Sequence, residues 1–418
     1  MNNLSDSATA HTTSAHQPIN EKLCSSCGLC MIGEWPAQES IQSCVFKIGW
    51  LGKQEINLFG RERYSESREE TRFGISKERL VARIKHPLPK VAWSGVITSI
   101  AKKALESSTV EAVATLHRGK DDHFSSKPVL AQSTEEILAG SGNKPVVSPI
   151  LISLQNAYKQ GIKRLLVIGA ACHVHALRYF KSHFDYLNDM EIYIVGIPCV
   201  DNVRLKALRD ILKMISHSHE TVRHYEFMQD FNVHLWHENG HIEKVPYFSL
   251  PQELTGINFV VPGCMSCFDY INSLSDITVG YMGAPFNTKK MYQWVIIRTE
   301  KGNELRNLIA DDLETVPEET AGNCTKAVKN STQKLVNQMM LGNNTSKKTG
   351  RRIPIWTGRI IAAIMKRIGP RGLEYARYGV DMHMIRNYYY VKFKYPELLT
   401  TLVPKHVYHI LEEYDFTP

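Results

Sequence analysis

The chain has 418 residues, 43% of them hydrophobic and 22% charged, which is typical of a globular protein with two or three domains. No stretch reaches the roughly 18 apolar residues of a membrane-spanning helix, so no transmembrane segment is predicted. The net charge of +8 suits an acidic protein or an anionic membrane, and the lack of any nucleic-acid-binding motif argues against nucleic acid as a partner.

The N-terminal part is predicted to contain little regular structure. Residues 1–20 are polar and have no hydrophobic core, so we expect a disordered leader rather than a secretory signal. Residues 21–90 are predicted to form an N-terminal iron–sulfur module that begins with the run CSSCGLC. The rest of this module is dominated by charge, and we expect it to wrap the surface.

The middle of the chain is predicted to form the folded core. Residues 91–222 alternate helical and strand patterns, and RLLVIGA and EIYIVGIP are apolar runs typical of buried parallel strands. The fold class is therefore α/β, with an open mixed sheet as the core. If the protein binds a flavin, this is the domain that we expect to hold it. Residues 223–319 are predicted to add an antiparallel β unit with a second cluster, because alternating runs flank Asn239 and Gly240. The strands DITVGYM and QWVIIRT are assigned to the same unit.

The C-terminal part is predicted to begin with a linker. Residues 320–352 are polar, and residues 353–418 form a helical region. Within this region, IPIWTGRIIAAIMKRIG has the pattern of an amphipathic helix that ends at a glycine. Its apolar face could pack on the core, which we favour, or adsorb to a membrane surface.

Eight of the nine cysteines fall into two sets of four. The first set comprises Cys24, Cys27, Cys30 and Cys44. Its Cys-x2-Cys-x2-Cys run places three thiolates on one tight loop, which suits three corners of a 4Fe–4S cluster. The second set comprises Cys172, Cys199, Cys264 and Cys267. Buried strands end just before Cys172 and Cys199, at the sheet edge where ligands collect, so two clusters and electron transfer are predicted.

Other interpretations of the cysteines stay open. Four thiolates also bind structural zinc, which is the main alternative for the first set. Disulfides are disfavoured, because the cysteine pairs are too close in sequence for ordinary cross-links. Cys172 could be a small buried residue. Cys324 lies in the predicted linker, and we expect it to have no ligand role.

The clusters raise the expectation of a flavin. A cluster passes one electron at a time, whereas reduction of an organic substrate needs two electrons and protons. The sequence has no GxGxxG after a strand and no Walker A loop, so a flavin would occupy a non-standard site. The segment GSGNKPVVSP offers close backbone approach at its glycines and a charge at Lys144, although it could equally be an ordinary turn.

Many long segments in the same order resemble one family, that of the β-subunit of the deazaflavin-reducing hydrogenase. The chain is similar to its ferredoxin-dependent branch, which acts on chlorophyll-type tetrapyrroles. The segments that carry the resemblance span roughly residues 20 to 410 and include CSSCGLC, WSGVITSIA, NKPVVSP, RLLVIGAACHVHALR, GIPCVDN, HYEFMQDF and CMSCFDYINSLSDITVGYMGAPF.

The resemblance implies cofactors and a reaction. It implies FAD, two 4Fe–4S clusters held by the two cysteine sets, and reduced ferredoxin as electron donor. It implies reduction of the 8-vinyl group of a divinyl (proto)chlorophyllide. The first alternative is a reductase of 7-hydroxymethyl chlorophyll a or of a related tetrapyrrole. The second alternative is a non-catalytic electron-transfer or pigment-scaffold protein. The expected location is the cytoplasm of a phototrophic bacterium or the plastid stroma, and peripheral contact with thylakoids stays open. A homo-oligomer also stays open.

The resemblance also suggests site residues. Candidate flavin contacts are Thr98, Ser99, Asn143, Lys144 and Ser148, carried by WSGVITSIA and NKPVVSP. Candidate proton donors near the second cysteine set are His173, Asp269 and Tyr270. Each of these three is expected more often to be a structural hydrogen-bonding residue than the proton donor.

Overall fold

The computed structural model describes most of the chain, namely residues 21–30, 44, 50–88, 93–119, 122–142, 144–251, 259–285, 290–340 and 353–416. The predicted leader, residues 1–20, and the flavin candidate Asn143 lie outside the described residues. Within the described residues no helix is both long and apolar enough to cross a membrane.

The strands are β1 Glu78–Ile84, β2 Ala112–Arg118, β3 Ser126–Ala131, β4 Arg164–Gly169, β5 Glu191–Gly196, β6 Val222–Met228, β7 Asn232–His237, β8 Ile242–Pro246, β9 Ile277–Gly280, β10 Gln293–Ile297, β11 Leu313–Val316, β12 Thr320–Ala321 and β13 Arg371–Gly372. The helices are α1 Trp50–Phe59, α2 Arg68–Phe73, α3 Val96–Glu106, α4 Thr134–Ala139, α5 Ile152–Lys159, α6 Ala171–His183, α7 Leu205–Ile215, α8 Glu300–Asn307, α9 Cys324–Met340, α10 Ile355–Ile368, α11 Leu373–Lys394, α12 Leu399–Leu402 and α13 Lys405–Glu413.

A mixed eight-stranded sheet forms the centre of the protein. Its strands follow the order β11-β1-β10-β9-β5-β4-β2-β3. The strands from β2 to β9 in this order run parallel, and the outer strands join antiparallel on both sides. Most of β4 and β5 is buried, as their continuous apolar runs predict. The predicted α/β fold with an open mixed sheet is therefore confirmed.

The assignment of two strands to the smaller unit was wrong. β9 pairs in parallel with β5, and β10 pairs with β9, so both strands belong to the central sheet. Every residue of the two strands is buried. A short apolar run shows that both faces of a strand are covered, but it does not identify the neighbouring strand.

The charged segment near the N-terminus also contributes to the core rather than only wrapping the surface. β1 pairs with β10 and β11, and Phe73 at the end of α2 is 2% exposed. The arginines of β1 stay half-buried beside acidic partners, among them Arg83 with Glu314 at 2.6 Å. Long side chains of this kind bury their aliphatic stems while their charged ends reach a partner. A segment rich in charged residues can therefore still form a strand of the central sheet.

A separate three-stranded antiparallel sheet contains β6, β7 and β8 in sequence order. The predicted hairpin at Asn239 and Gly240 is confirmed, because β7 and β8 pair directly across it. Gly240 has a φ of 83°, a conformation that favours glycine. This sheet is the antiparallel addition expected from the sequence.

The first half of the predicted polar linker is helical. α9 begins at Cys324 and packs on α11. Cys324, Val328 and Thr332 are fully buried and recur every four residues, which places them on one helix face. The many polar residues between them occupy the solvent side and mask this periodicity in the sequence.

A buried ion pair connects the N-terminal segment to the C-terminal helices. Arg72 of α2 lies 2.8 Å from Asp381 of α11, and both side chains are fully buried. Arg72 also reaches Glu413, and the Tyr414 hydroxyl donates to Asp381 at 2.5 Å. The pair therefore ties together segments that are 309 residues apart.

We expect Arg72→Met to lower the free energy of unfolding by about 3 kcal/mol, because it leaves the Asp381 carboxylate buried without its cation. Equilibrium urea denaturation followed by circular dichroism measures this effect. The control is Lys22→Ala, which removes the exposed pair with Glu397 and should leave the midpoint unchanged. Equal midpoints for Arg72→Met and the unsubstituted protein would contradict the assigned role.

Candidate cofactor site

The four cysteines of the second set converge at the carboxyl edge of the parallel strands. Cys172 opens α6 directly after β4, Cys199 follows β5, and the turn from Cys264 to Cys267 precedes β9. Burial raises the pKa of the Cys199 thiol to about 12, and the neighbouring Cys267 adds to this shift. Burial likewise raises the pKa of Cys264, with Cys199 and Cys172 among the contributing charges. The four thiols therefore interact with one another, as the strand-end argument predicts.

Polar groups surround these sulfurs as they do in many cysteine-ligated centres. The backbone amide of Asn202 donates to Cys264 Sγ at 3.4 Å, and its side-chain amide donates to Cys199 Sγ at 3.6 Å. Arg386 of α11 contacts Asp201 bidentately at 2.7 and 2.8 Å and interacts electrostatically with Cys264 and Cys267. Positive charge and N–H donors near sulfur are features that tune a bound cluster.

α11 also holds the turn that carries two of the cysteines. Asn387 donates to the carbonyl oxygens of Cys264 at 2.8 Å and Cys267 at 2.6 Å. His383 Nε2 lies 2.9 Å from the Cys267 carbonyl, and burial lowers the pKa of this imidazole to about 3. A neutral His383 donates to the carbonyl as an ordinary N–H group. The sequence analysis missed this support, because the two segments are more than 110 residues apart.

The first cysteine set lies beside the second. Cys24, Cys27 and Cys30 interact with one another, and the Ser26 amide donates to Cys24 Sγ at 3.4 Å. Cys27 is one of the charges that raise the pKa of Cys172, after burial. The Gly263 amide donates to Ser25 Oγ at 2.9 Å, which joins the two cysteine loops directly. Cys44 is half-buried, and the segments on either side of it lie outside the described residues.

The two cysteine sets do not form a mononuclear metal site among the described residues. In the part of the chain that the structure describes, no group of three or more His, Cys, Asp or Glu side chains could hold one metal ion. The sulfurs that ligate a 4Fe–4S cluster bind four separate iron atoms and stand further apart than ligands of one ion. The chemistry of the donor set, four mutually interacting thiols with N–H donors, fits a cluster.

The ninth cysteine, Cys324, belongs to neither cysteine set and has a packing role. Cys324 is fully buried, and its Sγ lies 3.2 Å from the hydroxyl of Tyr414 in the hydrophobic core. It therefore packs α9 against the C-terminal helices, although the sequence suggested an exposed linker.

The proposed acids near the second cysteine set are held in different ways. Asp269 accepts from His175 Nε2 at 2.7 Å and from the Ser273 amide, and these bonds outweigh burial and lower its pKa. His173 accepts from the Ala170 amide through Nδ1, and burial lowers its pKa to about 4. Asp269 is therefore a carboxylate and His173 a neutral imidazole near pH 7, which leaves neither well suited to donate a proton.

Tyr270, the third proposed acid, lies beside Cys199. The backbone carbonyl of Tyr270 accepts a hydrogen bond from the backbone N–H of Cys199 at 2.8 Å. Burial raises its pKa, and the nearby Glu226 and Cys199 contribute. Glu226 of β6 lies near Tyr270, and the Trp93 side chain donates to its carboxylate. Trp93 stacks on Tyr281 with ring centroids 4.5 Å apart, so flat aromatic surface adjoins the carboxyl group.

Glu226 is the acidic group that the sequence analysis missed. Its side chain is half-buried, and desolvation raises its pKa to about 7, against weaker opposing hydrogen bonds from Phe227 and Trp93. The carboxyl group is therefore partly protonated at neutral pH. Only the raised pKa distinguishes it, and that depends on neighbours from distant segments.

A group of basic side chains lies on the same side of β6. Arg118 contacts His123 at 2.5 Å, and its guanidinium is close enough to Lys144 and His224 to lower the pKa of each. Burial is the larger cause, and it brings Lys144 to about pKa 7. Neither Arg118 nor Lys144 pairs with a carboxylate among the described residues. We call Arg118, His123, Lys144 and His224 the cation group, although burial lowers the pKa of each histidine to about 4 and so keeps both imidazoles neutral near pH 7.

Several polar atoms in and near this group lack partners within the described chain. The Arg118 Nε, the Ser148 hydroxyl and the His224 Nδ1 are buried without a hydrogen bond. Lys144 donates only to the carbonyl oxygens of Gly140 at 2.6 Å and Gly142 at 3.0 Å. Buried donors of this kind are costly unless a ligand satisfies them. The donor set therefore fits an anionic ligand such as a phosphate group.

The cation group and Glu226 lie along one face of β6. His224 and Glu226 are two residues apart, so their side chains point to the same face about 7 Å apart. The remaining flavin candidates, Thr98 and Ser99, lie in the first turns of α3, which begins three residues after Trp93. No described side-chain hydrogen bond connects Thr98 or Ser99 to the cation group.

Two family profiles match most of the folded chain. Residues 79–155 match the N-terminal domain of the coenzyme F420 hydrogenase/dehydrogenase β-subunit. Residues 162–321 match the C-terminal domain of the same family. The two profiles together cover the strands that carry the second cysteine set, the cation group and Glu226.

Curated relatives extend the similarity over nearly the whole length. An uncharacterised Nostoc protein, all1601, is 39% identical over 97% of this chain and 97% of its own. The chloroplastic 7-hydroxymethyl chlorophyll a reductase of rice is 36% identical over 94% of this chain and 82% of its own. The coenzyme F420 hydrogenase β-subunit of Methanosarcina barkeri is 28% identical over 56% of this chain and 78% of its own.

A solved structure shares the fold. A chain of the F420-reducing [NiFe] hydrogenase complex from Methanosarcina barkeri superimposes with a TM-score of 0.57 and 21% identity. The match covers 79% of this chain and 96% of the other. The mixed central sheet is therefore an architecture already seen in an oxidoreductase complex.

Proposed function

The chain belongs to the coenzyme F420 hydrogenase/dehydrogenase β-subunit family, and from this premise we propose a ferredoxin-dependent reductase of a chlorophyll-type tetrapyrrole. We propose FAD and two 4Fe–4S clusters as cofactors, with the eight cysteines of the two sets as ligands. The proposed reaction is the reduction of the 8-vinyl group of a divinyl (proto)chlorophyllide.

One observation carries this proposal. Four cysteines from distant segments converge near a basic group that has no carboxylate partner among the described residues and near the partly protonated Glu226. Together these groups combine a source of electrons, a site for an anionic cofactor and a proton donor. A scaffold protein that only binds pigment would not need an acid poised near pH 7.

The cation group is proposed to bind the phosphates of FAD. Arg118 and Lys144 supply charge, and the Ser148 hydroxyl supplies a donor that has no partner within the described residues. When bound, the clusters would supply electrons singly and the flavin would supply them as a pair. Thr98, Ser99 and Asn143 remain predicted contacts.

Glu226 is proposed as the proton donor to the substrate. Its carboxyl group lies on the same face of β6 as His224, next to Trp93 and near Tyr270, which in turn lies beside Cys199. Reduction of a vinyl group to an ethyl group consumes two electrons and two protons. One carbon receives a hydride equivalent, and Glu226 would deliver the second proton to the other carbon. Tyr270 would hold the macrocycle or relay a proton to Glu226.

The reaction can be tested directly. Anaerobically purified protein, with iron and flavin quantified per chain, is incubated with reduced ferredoxin and divinyl protochlorophyllide. Chromatography should show the ethyl product, and two ferredoxins should be oxidised for each product formed. A colourless protein with zinc in place of iron would refute the proposal, as would bound flavin that no pigment reoxidises.

A second substrate is supported by the rice relative, whose name gives 7-hydroxymethyl chlorophyll a as its substrate. Conversion of a hydroxymethyl to a methyl group also consumes two electrons and two protons and releases water. Glu226 would then protonate the departing hydroxyl group. Parallel incubations with this pigment and with oxidised F420 distinguish the three reductase activities, because each yields a different product.

We expect Arg118→Ala to weaken FAD binding at least about tenfold, because a buried charged donor to phosphate is lost. Fluorescence titration of apoprotein with FAD measures the dissociation constant. The matched control is Arg209→Ala, because Arg209 is a surface arginine that pairs with Asp122. FAD binding that is equally tight in the Arg118 variant would exclude the cation group as the phosphate site.

A further inference from the structure

α10 leaves a continuous apolar stripe in solvent. Its members recur every four residues and are each at least 52% exposed, namely Trp356, Ile360, Ile364 and Ile368. The opposite face of the helix is buried at Gly358 and Ala362. Gly358 packs so closely that an added Cβ would lie 2.0 Å from Ser249 Oγ. α10 therefore docks on the core, as the sequence favoured, and still presents the stripe outward.

The chain around this helix is strongly basic. Residues 320–373 include eleven Lys and Arg residues and no Asp or Glu. Arg359 and Arg367 are exposed on α10 itself, and Arg351 and Arg352 precede it in the sequence. A second copy of this chain would bring the same positive charge to the stripe and would be repelled. The charge therefore favours an anionic occupant.

We propose that α10 docks the protein on the surface of an anionic lipid bilayer. The helix has 14 residues and is about 21 Å long, which is too short to cross a hydrocarbon core of about 30 Å. It can lie in the interface, with the isoleucines among the acyl chains and the arginines at the lipid phosphates. Trp356 at one end suits the headgroup region, where tryptophan is enriched.

The docking surface adjoins the sheet that carries Glu226. α10 packs on β8 and on the turn Tyr247–Ser249. The Tyr247 hydroxyl donates to the Met228 carbonyl at 2.7 Å, at the end of the strand that carries Glu226. A protein held through α10 would therefore keep this sheet close to the bilayer, where an apolar ligand would be dissolved. Lipid binding itself does not depend on the proposed chemistry.

Vesicle flotation tests the proposal with the full chain. One set of vesicles is phosphatidylcholine alone, and in the other about a third is phosphatidylglycerol. We expect the protein to float with the anionic vesicles. Salt at 0.5 M should release most of it, because the Debye length falls to roughly 4 Å and the attraction between the basic side chains and the lipid phosphates is screened. Equal binding to both vesicle types, or no binding to the anionic ones, would overturn the proposal.

Two substitutions test the surface itself. Ile360→Ser with Ile364→Ser should weaken vesicle binding at least about tenfold, because two aliphatic side chains that would insert among the acyl chains are lost. The matched control, Ile56→Ser with Ile152→Ser, removes two exposed isoleucines from other helices and should bind as before. Equal losses in both double variants would refute the assignment to α10. Sedimentation without lipid should give the same oligomeric state for the unsubstituted protein and both double variants. A dimer that is lost only in the α10 variant would identify a second copy of the chain as the occupant of the stripe.

Discussion

Replacement of Cys264 by serine is expected to lower the iron content from about eight to about four atoms per chain and to abolish pigment reduction. The reason is that Cys264 stands at the centre of the second set, where Cys199 and Cys172 act on it and the Asn202 amide donates to its sulfur. Activity with reduced ferredoxin should fall by at least about a hundredfold, because electrons lose the second cluster, which is their proposed path to the flavin. Iron assay and single-turnover absorbance changes measure both effects.

The control for this variant is Cys324→Ala. Cys324 is the cysteine buried beside Tyr414 in the core, so its loss should leave iron, flavin and rate unchanged while lowering stability somewhat. Cys24→Ser should also halve the iron, but it should remove the cluster proposed for the first set. Full iron content in Cys264→Ser would show that the second set does not hold a cluster.

Glu226→Gln is expected to lower the rate of pigment reduction by about a hundredfold to a thousandfold. Glutamine keeps the shape of the side chain but cannot deliver a proton. Iron and flavin content, and the rate at which reduced ferredoxin reduces the protein, should not change. Stopped-flow measurement of the two half-reactions separates these steps. Glu220→Gln, an exposed acid at the edge of the same sheet, is the matched control.

The pH dependence gives a second readout for Glu226. Its pKa is raised to about 7, so the proton donor is present below that pH and is lost as the pH rises through it. The rate of pigment reduction should therefore fall about tenfold per pH unit above pH 7, and the glutamine variant should lose this dependence. A glutamine variant with the same pH profile as the unsubstituted protein would assign the proton to another group, with Tyr270 the next candidate.

Several features of the site could be predicted because their signals are local. The spacing of the first cysteine run and the positions of Cys172 and Cys199 after buried strands are visible in short windows. The convergence of the second set follows from strand ends meeting at one edge of a parallel sheet. Sheet order was harder, because β9 carries no sign that it pairs with β5 rather than with the small sheet.

The functional features that sequence analysis missed depend on contacts between distant segments. Arg118 and Lys144 form a cation group only because a strand end and a later loop fold together. Asn387 supports the Cys264 turn from a helix 123 positions away. Glu226 resembles any strand carboxylate until Trp93 and other residues from distant segments remove water around it. Contacts between such distant segments leave no periodicity or motif in the sequence from which they could be predicted.

By itself, the sequence determined the α/β class, the two sets of cysteines, the hairpin and the amphipathic character of α10, because chain-local spacing and apolar periodicity encode all of these. Tertiary structure alone decided which strands are neighbours, which carboxyl group loses its solvent, and which face of α10 stays uncovered. The physical reason is that desolvation and electrostatic coupling act through space, so they depend on which atoms surround a group and not on its place along the chain.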